Sequence, residues 1–341
     1  MYNTIMKNQS YSYPIGGEEY LRLHPWTAYP YLVLAGLLSV VGTTGNLLVL
    51  ASLVCYRKLW AARNVFVCNL AIADLLVTAI GDPFGIVGLV KGKTYFDQRP
   101  ALCDVAATIC FVACVTALLT IGGSSVNRCF HICYNKLFYK IFGFKKNVIM
   151  CCGFWVASFL LSLPGFLGWT DNIYDMKMME CIWNRKAALS YTLFLVLGVV
   201  CVPAAFTAIT FIKIYMYVRQ CKQRVAEMTA DQEFINKSRS ASIKVARTLF
   251  IIYAVFVLCW APAAVLLLVD FQDRAPHEVY LYLLLLAHTH STMNAIVYAA
   301  TNKHFRQGYL FVLTSMFPYR CKKGSQQKTI NSNSTCDSKL S

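Results

Sequence analysis

Two carboxylates, Asp74 and Asp82, stand inside an otherwise apolar run from Asn64 to Val90. An acid in such a setting is costly unless it is paired or hydrogen-bonded, so each marks a functional position. Other polar or reactive groups punctuate similar stretches: Asn46, Cys110, Cys114, Asn127, Arg128, His288, His290 and Asn294. His288 and His290 are two apart, which puts them on different faces of a helix. No metal-ligand cluster and no nucleophile beside a base is visible, so no catalytic residue, metal or cofactor is expected. The chemistry open to these groups is recognition and switching, by exchange of hydrogen bonds and charge partners.

Such groups need elements that hold them inside an apolar medium. Of 341 residues, 57% are apolar and 14% charged, too oily for an ordinary soluble chain. Crossing a hydrocarbon core about 30 Å thick takes about 20 mostly apolar helical residues. Stretches free of Asp, Glu, Lys and Arg run from Ala28 to Tyr56, Val105 to Val126, Asn147 to Thr170, Ala187 to Ile212, Thr248 to Val269 and Val279 to Asn302. The Asn64 to Val90 run completes a set of seven. The expected fold is an all-α integral membrane bundle of seven transmembrane helices followed by a short amphipathic eighth helix. A transporter or channel would carry charges in several spans or inverted repeats, whereas here Asp74 and Asp82 share one span.

Charge sets the orientation. Four inter-span and terminal segments hold 22 of the 32 basic residues. Basic residues near span ends stay in the cytoplasm, so the amino terminus is expected outside and the carboxyl terminus inside. A net charge of +16 then reflects topology and affinity for acidic membrane lipids. It is dispersed over separate loops rather than gathered in a patch, which argues against nucleic acid. No apolar stretch precedes Ala28, so the first span is expected to serve as its own signal.

The expected organisation is an extracellular N-terminus (1–27), a membrane domain (28–301), an amphipathic helix (302–320) and a disordered cytoplasmic tail (321–341). Asn8 lies in an outer glycosylation sequon. Phe305, Tyr309, Leu310, Val312 and Leu313 form an apolar stripe suited to lie on the inner membrane surface, and Cys321 beside Lys322 and Lys323 suits palmitoylation. Of fifteen cysteines most lie inside apolar spans, but Cys103 and Cys181 fall on the outer side. A bridge between them would pin a loop over the helix mouth; spacing alone leaves other outer pairings open.

Taken span by span, Gly45-Asn46, Asn69-Leu70-Ala71-Ile72-Ala73-Asp74, Asn127-Arg128-Cys129, Trp155 with Pro164, Pro203, Phe256 through Pro262, and Asn294-Ala295-Ile296-Val297-Tyr298 occur in order. This pattern resembles the rhodopsin-like (class A) G-protein-coupled receptors over roughly Ala28 to Tyr319. The resemblance implies a plasma-membrane receptor with an extracellular small-molecule ligand, a heterotrimeric G protein as inner partner and arrestin as a further one. It implies a Cys103–Cys181 disulfide, a Trp260 toggle at the cavity floor and a polar network of Asp74, Asn46 and Asn294. It also implies coupling residues Asn127, Arg128, Asn294 and Tyr298. Asn127 stands where the family has an acid, and no acid stands near the inner start of the sixth span, so the clamp on Arg128 is expected to be weak. Ala117 and His290 replace other family partners of a sodium ion, which puts such an ion in doubt.

Within the class, Asn127-Arg128, His131-Ile132-Cys133, Tyr191-Thr192 and Asn294 to Tyr298 resemble melatonin receptors and melatonin-like orphan receptors, and Asn302 to Tyr309 resembles a medium-chain fatty-acid receptor. The melatonin receptors' fourth-helix asparagine falls on Gly165 and their fifth-helix histidine on Val199, so melatonin is not the expected ligand, although melatonin, another indole, a fatty acid or a peptide remain alternatives. Cys110 stands where amine receptors need an Asp, and His288 where opsins carry the retinal lysine. The ligand-contacting set implied is Cys110, Cys114, Trp183, Arg185, Trp260 and His288, around a small lipophilic molecule whose carboxylate, if it has one, Arg185 would hold.

Overall fold

The computed structural model describes residues 17–187, 189–225 and 233–316. Asn8, Cys321, the tail at 321–341 and the modifications expected there lie outside these residues. Seven long helices dominate: Pro25–Cys55, Val65–Asp97, Pro100–Cys133, Phe144–Phe166, a fifth from Leu189 to Val225, Glu233–Val269 and His277–Thr301. Short helices Glu18–Leu23 and Asn135–Ile141 flank the first and third, and Lys303–Met316 closes the described chain. The first long helix begins at Pro25, ahead of Ala28, because proline's fixed φ suits a first helical position.

Six of the seven are long and apolar enough to cross a membrane. The seventh, His277–Thr301, has 25 residues, about 37 Å at 1.5 Å per residue. It is long enough but carries His277, His288, His290, Ser291, Thr292 and Asn294, all buried. Low formal charge and low polarity are different properties: Glu278 is this helix's one acid and it has no Lys or Arg, yet its polar side chains keep it less apolar than the other six. Each helix is inverted relative to a soluble one. On the first, Val33, Leu37 and Val40 are exposed while Ala35, Gly42 and Asn46 are buried, as lipid outside and polar neighbours inside require. A Cβ on Gly42 would collide with the side chains of Thr78 and Thr292, so this glycine sets how closely the first, second and seventh helices approach.

Two helices are locally unwound into π turns. Val77–Gly81 lies in the second, directly before Asp82, and Phe194–Cys201 in the fifth, two residues before Pro203. Such turns shift the facing of everything beyond them and concentrate at functional sites. Pro262 sits within the sixth helix.

Between the fourth and fifth helices the chain forms an antiparallel hairpin, β1 (Asn172–Asp175) and β2 (Glu180–Trp183), with Tyr174 opposite Cys181. This small sheet is the addition to an otherwise helical fold. Cys181 is bonded to Cys103 at the start of the third helix. Tyr174 donates to the Gly88 carbonyl at 2.8 Å, and a Cβ on Gly88 would strike the Met179 carbonyl. Hairpin and second helix therefore touch backbone to backbone. Peptide mapping of unreduced, alkylated protein is expected to recover Cys103 and Cys181 as one linked pair; finding both alkylated would contradict this.

The expected stripe on the closing helix is divided. Phe305 stacks on Tyr298 with ring centroids 4.9 Å apart, Val312 is buried, and Tyr309 donates to the Ala295 carbonyl at 3.1 Å. Leu310 and Leu313 instead face outward. The helix is thus fastened to the bundle on one side and offers apolar surface on the other.

Candidate functional site

Beneath the hairpin lies a cavity of about 120 Å³. The third, fifth, sixth and seventh helices form its walls, and β2 roofs it. Of the residues expected to meet a ligand, Cys110, Cys114, Trp183, Trp260 and His288 all line it. Val199 does too, from the π-turn segment of the fifth helix. Trp183 is steadied by donating to Thr192 Oγ1 at 3.1 Å.

Arg185 does not reach the cavity. Its guanidinium donates to Asp175 Oδ2 at 2.8 Å and to Asp273 Oδ1 at 2.7 Å, and lies 4.3 Å over the Tyr280 ring. Lys177 and Lys186 join it on Asp273. The expectation that Arg185 holds a ligand carboxylate is corrected by this geometry: Asp175 in β1 and Asp273 ahead of the seventh helix already engage its Nε and Nη2. The cluster is a latch joining hairpin to the loop between the sixth and seventh helices. Burial pushes the Asp273 carboxyl up, but hydrogen bonds from Lys186 and Arg185 outweigh it and hold it below its ordinary value. A depressed carboxyl stabilises the fold above the ordinary carboxylate range, and that contribution is lost as pH falls through the depressed value. Asp273→Asn should remove a charged hydrogen bond of about 1.5–3 kcal/mol, lower the melting temperature at neutral pH and leave it less sensitive to acid. An unchanged melting curve would show that the latch contributes nothing.

Deeper on the same side, Asp82 and His288 meet. His288 Nδ1 lies 3.0 Å from Asp82 Oδ1, and its Nε2 lies 3.4 Å from Cys110 Sγ. A carboxylate only accepts, so Nδ1 carries a proton, and Nε2 faces the Cys110 thiol. Both residues are almost fully buried, and Asp82 Oδ2 has no partner among the described residues. Glu180 enters from the roof, with Tyr31 donating to it at 3.5 Å. Burial pushes the Glu180 carboxyl up to about 7. The sequence marks Asp82 and His288 separately; their pairing across 206 positions leaves no local signal. Glu180 is a residue that reasoning from the sequence missed, since an acid beside Cys181 reads as a loop charge.

At the cavity floor Trp260 donates its indole N–H to His290 Nδ1 at 3.2 Å. In that tautomer His290 Nε2–H faces Ser291 Oγ at 3.1 Å and Asp74 Oδ1 at 3.9 Å. With the proton on Nδ1 instead, the ring donates to the Ala287 carbonyl at 2.7 Å and Trp260 loses its acceptor. His290 therefore has two arrangements, and Trp260 is held in one of them. Below it, Asn294 donates to Asp74 Oδ2 at 2.8 Å. Asn46 does not join Asp74 directly. Its amide donates to the Ser291 carbonyl at 3.1 Å, so it bonds the seventh helix's backbone beside the acid rather than the acid itself. His290 has the place near Asp74 that the sequence reading gave to Asn46.

At the far end of the third helix, Asn127 and Arg128 are buried, and both polar atoms of the Asn127 amide lack a partner among the described residues. Tyr298 is buried nearby in the sequence of polar groups along the seventh helix, its hydroxyl likewise unbonded among the described residues. Thr248 of the sixth helix donates to Thr301 of the seventh at 2.9 Å. The Arg128 end thus has a neutral tether between the sixth and seventh helices.

Residues 45–298 match the family described as 7 transmembrane receptor (rhodopsin family). The chain is 27% identical over 299 residues to Melatonin receptor type 1B-B of Danio rerio, covering 85% of this chain and 84% of that one. It is 25% identical over 315 residues to Melatonin receptor type 1A of Mus musculus, covering 91% and 87%. Squid rhodopsin shares the fold with a TM-score of 0.70 at 17% identity, over 86% of this chain and 85% of that one.

Proposed function

This chain belongs to the rhodopsin family of seven-transmembrane receptors, and from that premise we propose that it carries a small lipophilic ligand's signal across the plasma membrane to a heterotrimeric G protein. In this reading the hairpin side is extracellular and the Lys- and Arg-rich side, with Arg128, is cytoplasmic. One observation supports the reading most: polar groups line up below the cavity floor, with Trp260 bonded to His290, Asp74 Oδ1 lying 3.9 Å beyond His290, and Asn294 bonded to Asp74 Oδ2. Trp260, His290, Asp74 and Asn294 come from the sixth, seventh and second helices, so a ligand that moves Trp260 would disturb how these three helices meet. Such a receptor is not an enzyme.

The cavity chemistry narrows the ligand. Its walls are largely apolar, its acid is Glu180, and among the described residues it is lined by no Lys or Arg that would hold a carboxylate. With Arg185 committed to Asp175 and Asp273, a neutral lipophile fits better than a fatty acid. A latched roof disfavours a peptide. Melatonin receptors are among the relatives, but Val199 offers no hydrogen bond from the fifth helix, so melatonin should be inactive up to high micromolar concentration. Ligand-stimulated nucleotide exchange across a panel of neutral lipids, indoles, fatty acids and peptides tests this. Potent activation by melatonin or a fatty acid would overturn the ligand assignment and leave the receptor standing.

The neutral tether motivates a further expectation. A Thr248–Thr301 hydrogen bond contributes about 0.5–1.5 kcal/mol, too little to suppress signalling fully, so basal exchange should be measurable. Asn127→Asp supplies the missing acid beside Arg128 and should lower that basal rate, whereas Thr248→Val should raise it. No fall in Asn127→Asp at matched surface expression would show that another contact restrains the sixth helix.

A further inference from the structure

Cys110 and Cys114 lie one turn apart on the third helix, and His288 faces them from the seventh. Cys110 Sγ, Cys114 Sγ and His288 Nε2 all lie within 4.8 Å of one another, with Cys110 Sγ and His288 Nε2 at 3.4 Å. Tetrahedral zinc, with bonds of about 2.3 Å to sulfur and about 2.0–2.1 Å to nitrogen, places its ligand atoms roughly 3.5–3.8 Å apart. The three atoms therefore need only a small closing movement, within reach of one cysteine rotamer. We propose that Cys110, Cys114 and His288 form a zinc site in the cavity wall, with the fourth coordination position open to the cavity.

Four features favour zinc over other ions and over a passive cluster. The donor set is two thiols and an imidazole, which selects a thiophilic ion and excludes sodium, magnesium and calcium. Asp82 accepts from His288 Nδ1 at 3.0 Å, so once the ring is neutral its Nε2 lone pair faces the sulfurs. A carboxylate behind a ligating histidine orients the ring and raises its basicity. Asp82 Oδ2 is buried without a partner among the described residues, and a cation on His288 would strengthen the Nδ1–H donor and offset that charge. Binding displaces one proton from each thiol to solvent, so the dication is balanced by two thiolates and its burial leaves no added net charge. The π turn Val77–Gly81, immediately before Asp82, turns the carboxylate to this position; sequence spacing predicts neither partner, as the ligands come from two helices and the orienting acid from a third.

All three ligands line the cavity beneath the hairpin, so the open position would take a donor atom from a bound molecule or water. The proposal requires the cavity but not the receptor reading, and metal binding is measured without any signalling readout. Purified full-length protein in detergent, stripped with chelator, is titrated with Co2+ and then Zn2+ alone. The background is Cys129→Ser/Cys133→Ser, because those two cysteines form another pair one turn apart. The expected result is sulfur-to-cobalt charge-transfer absorption at one ion per chain, bleached by zinc. It should be about halved in Cys114→Ser and retained in Cys152→Ser, whose thiol faces outward. Asp82→Asn should weaken zinc affinity by about 10–100-fold.

A second measurement needs no substitution: zinc should protect Cys110 and Cys114 of the unmutated protein from maleimide alkylation, read by peptide mapping, while Cys152 reacts equally with and without it. No charge-transfer band, a band indifferent to Cys114→Ser, or equal alkylation of Cys110 and Cys114 with and without zinc would overturn the site.

Discussion

Replacing Arg128 with alanine is expected to abolish G-protein activation while leaving delivery to the cell surface largely intact. The residue lies at the Arg128 end of the third helix, 5% exposed, in a setting where a guanidinium is kept only if it is useful. Its rigid fork of donors can exchange one set of acceptors for another, which an ammonium reproduces poorly. Buried arginines that meet a partner commonly contribute about 2 kcal/mol or more, so exchange should fall by at least about thirtyfold. The adjacent position is Asn127 rather than an acid, so truncation leaves no carboxylate stranded there and the fold should tolerate the change. Arg128→Lys should restore a minor part of the activity. Unchanged exchange in Arg128→Ala, at matched surface expression, would remove the residue from the coupling site.

His290→Leu is expected to disconnect the cavity from the coupling end with little change in ligand binding. Cys110, Cys114, Trp260 and His288 line the cavity, whereas His290 lies behind Trp260 and stands between its indole and Asp74. Leucine keeps the bulk but accepts nothing from Trp260 and offers nothing to Ser291 or Asp74. Coupling between two sites typically amounts to 1–3 kcal/mol, so an agonist drawn from the neutral-lipid panel should lose roughly tenfold or more of its stimulated exchange. The contact predicts a second signature. If Trp260→Phe acts through the same bond, the double variant should be no worse than either single one. Additive losses would show that the two residues act independently.

What could be read from the sequence follows from which forces are local. Six charge-free stretches and one carrying Asp74 and Asp82 announce seven helices, because a bilayer leaves the backbone few alternatives. The seventh shows where that reasoning is coarse: its histidines, serine, threonine and asparagine make it the least apolar of the set, yet they are buried by facing the other helices. A shared cavity was legible as well, since Trp260, Cys110, Cys114, Trp183 and His288 do line one. Pairings were not. Arg185 looked like an anion hook, but the acids that neutralise it are Asp175, in its own hairpin, and Asp273, 88 positions away. Asn46 was assigned to Asp74 and bonds the Ser291 carbonyl instead. Such partners depend on helix rotation and on the two π turns, neither of which leaves a mark in hydrophobic periodicity.

Reconstitution tests the receptor account most directly. The purified chain in lipid vesicles, combined with purified heterotrimeric G proteins of each class, is assayed for uptake of a non-hydrolysable GTP analogue, alone and with the ligand panel. The account predicts uptake faster than in receptor-free vesicles with at least one G-protein class, increased further by a neutral lipophile and lost in Arg128→Ala. Uptake no faster than in empty vesicles under every condition, or a stimulation that persists without Arg128, would contradict it.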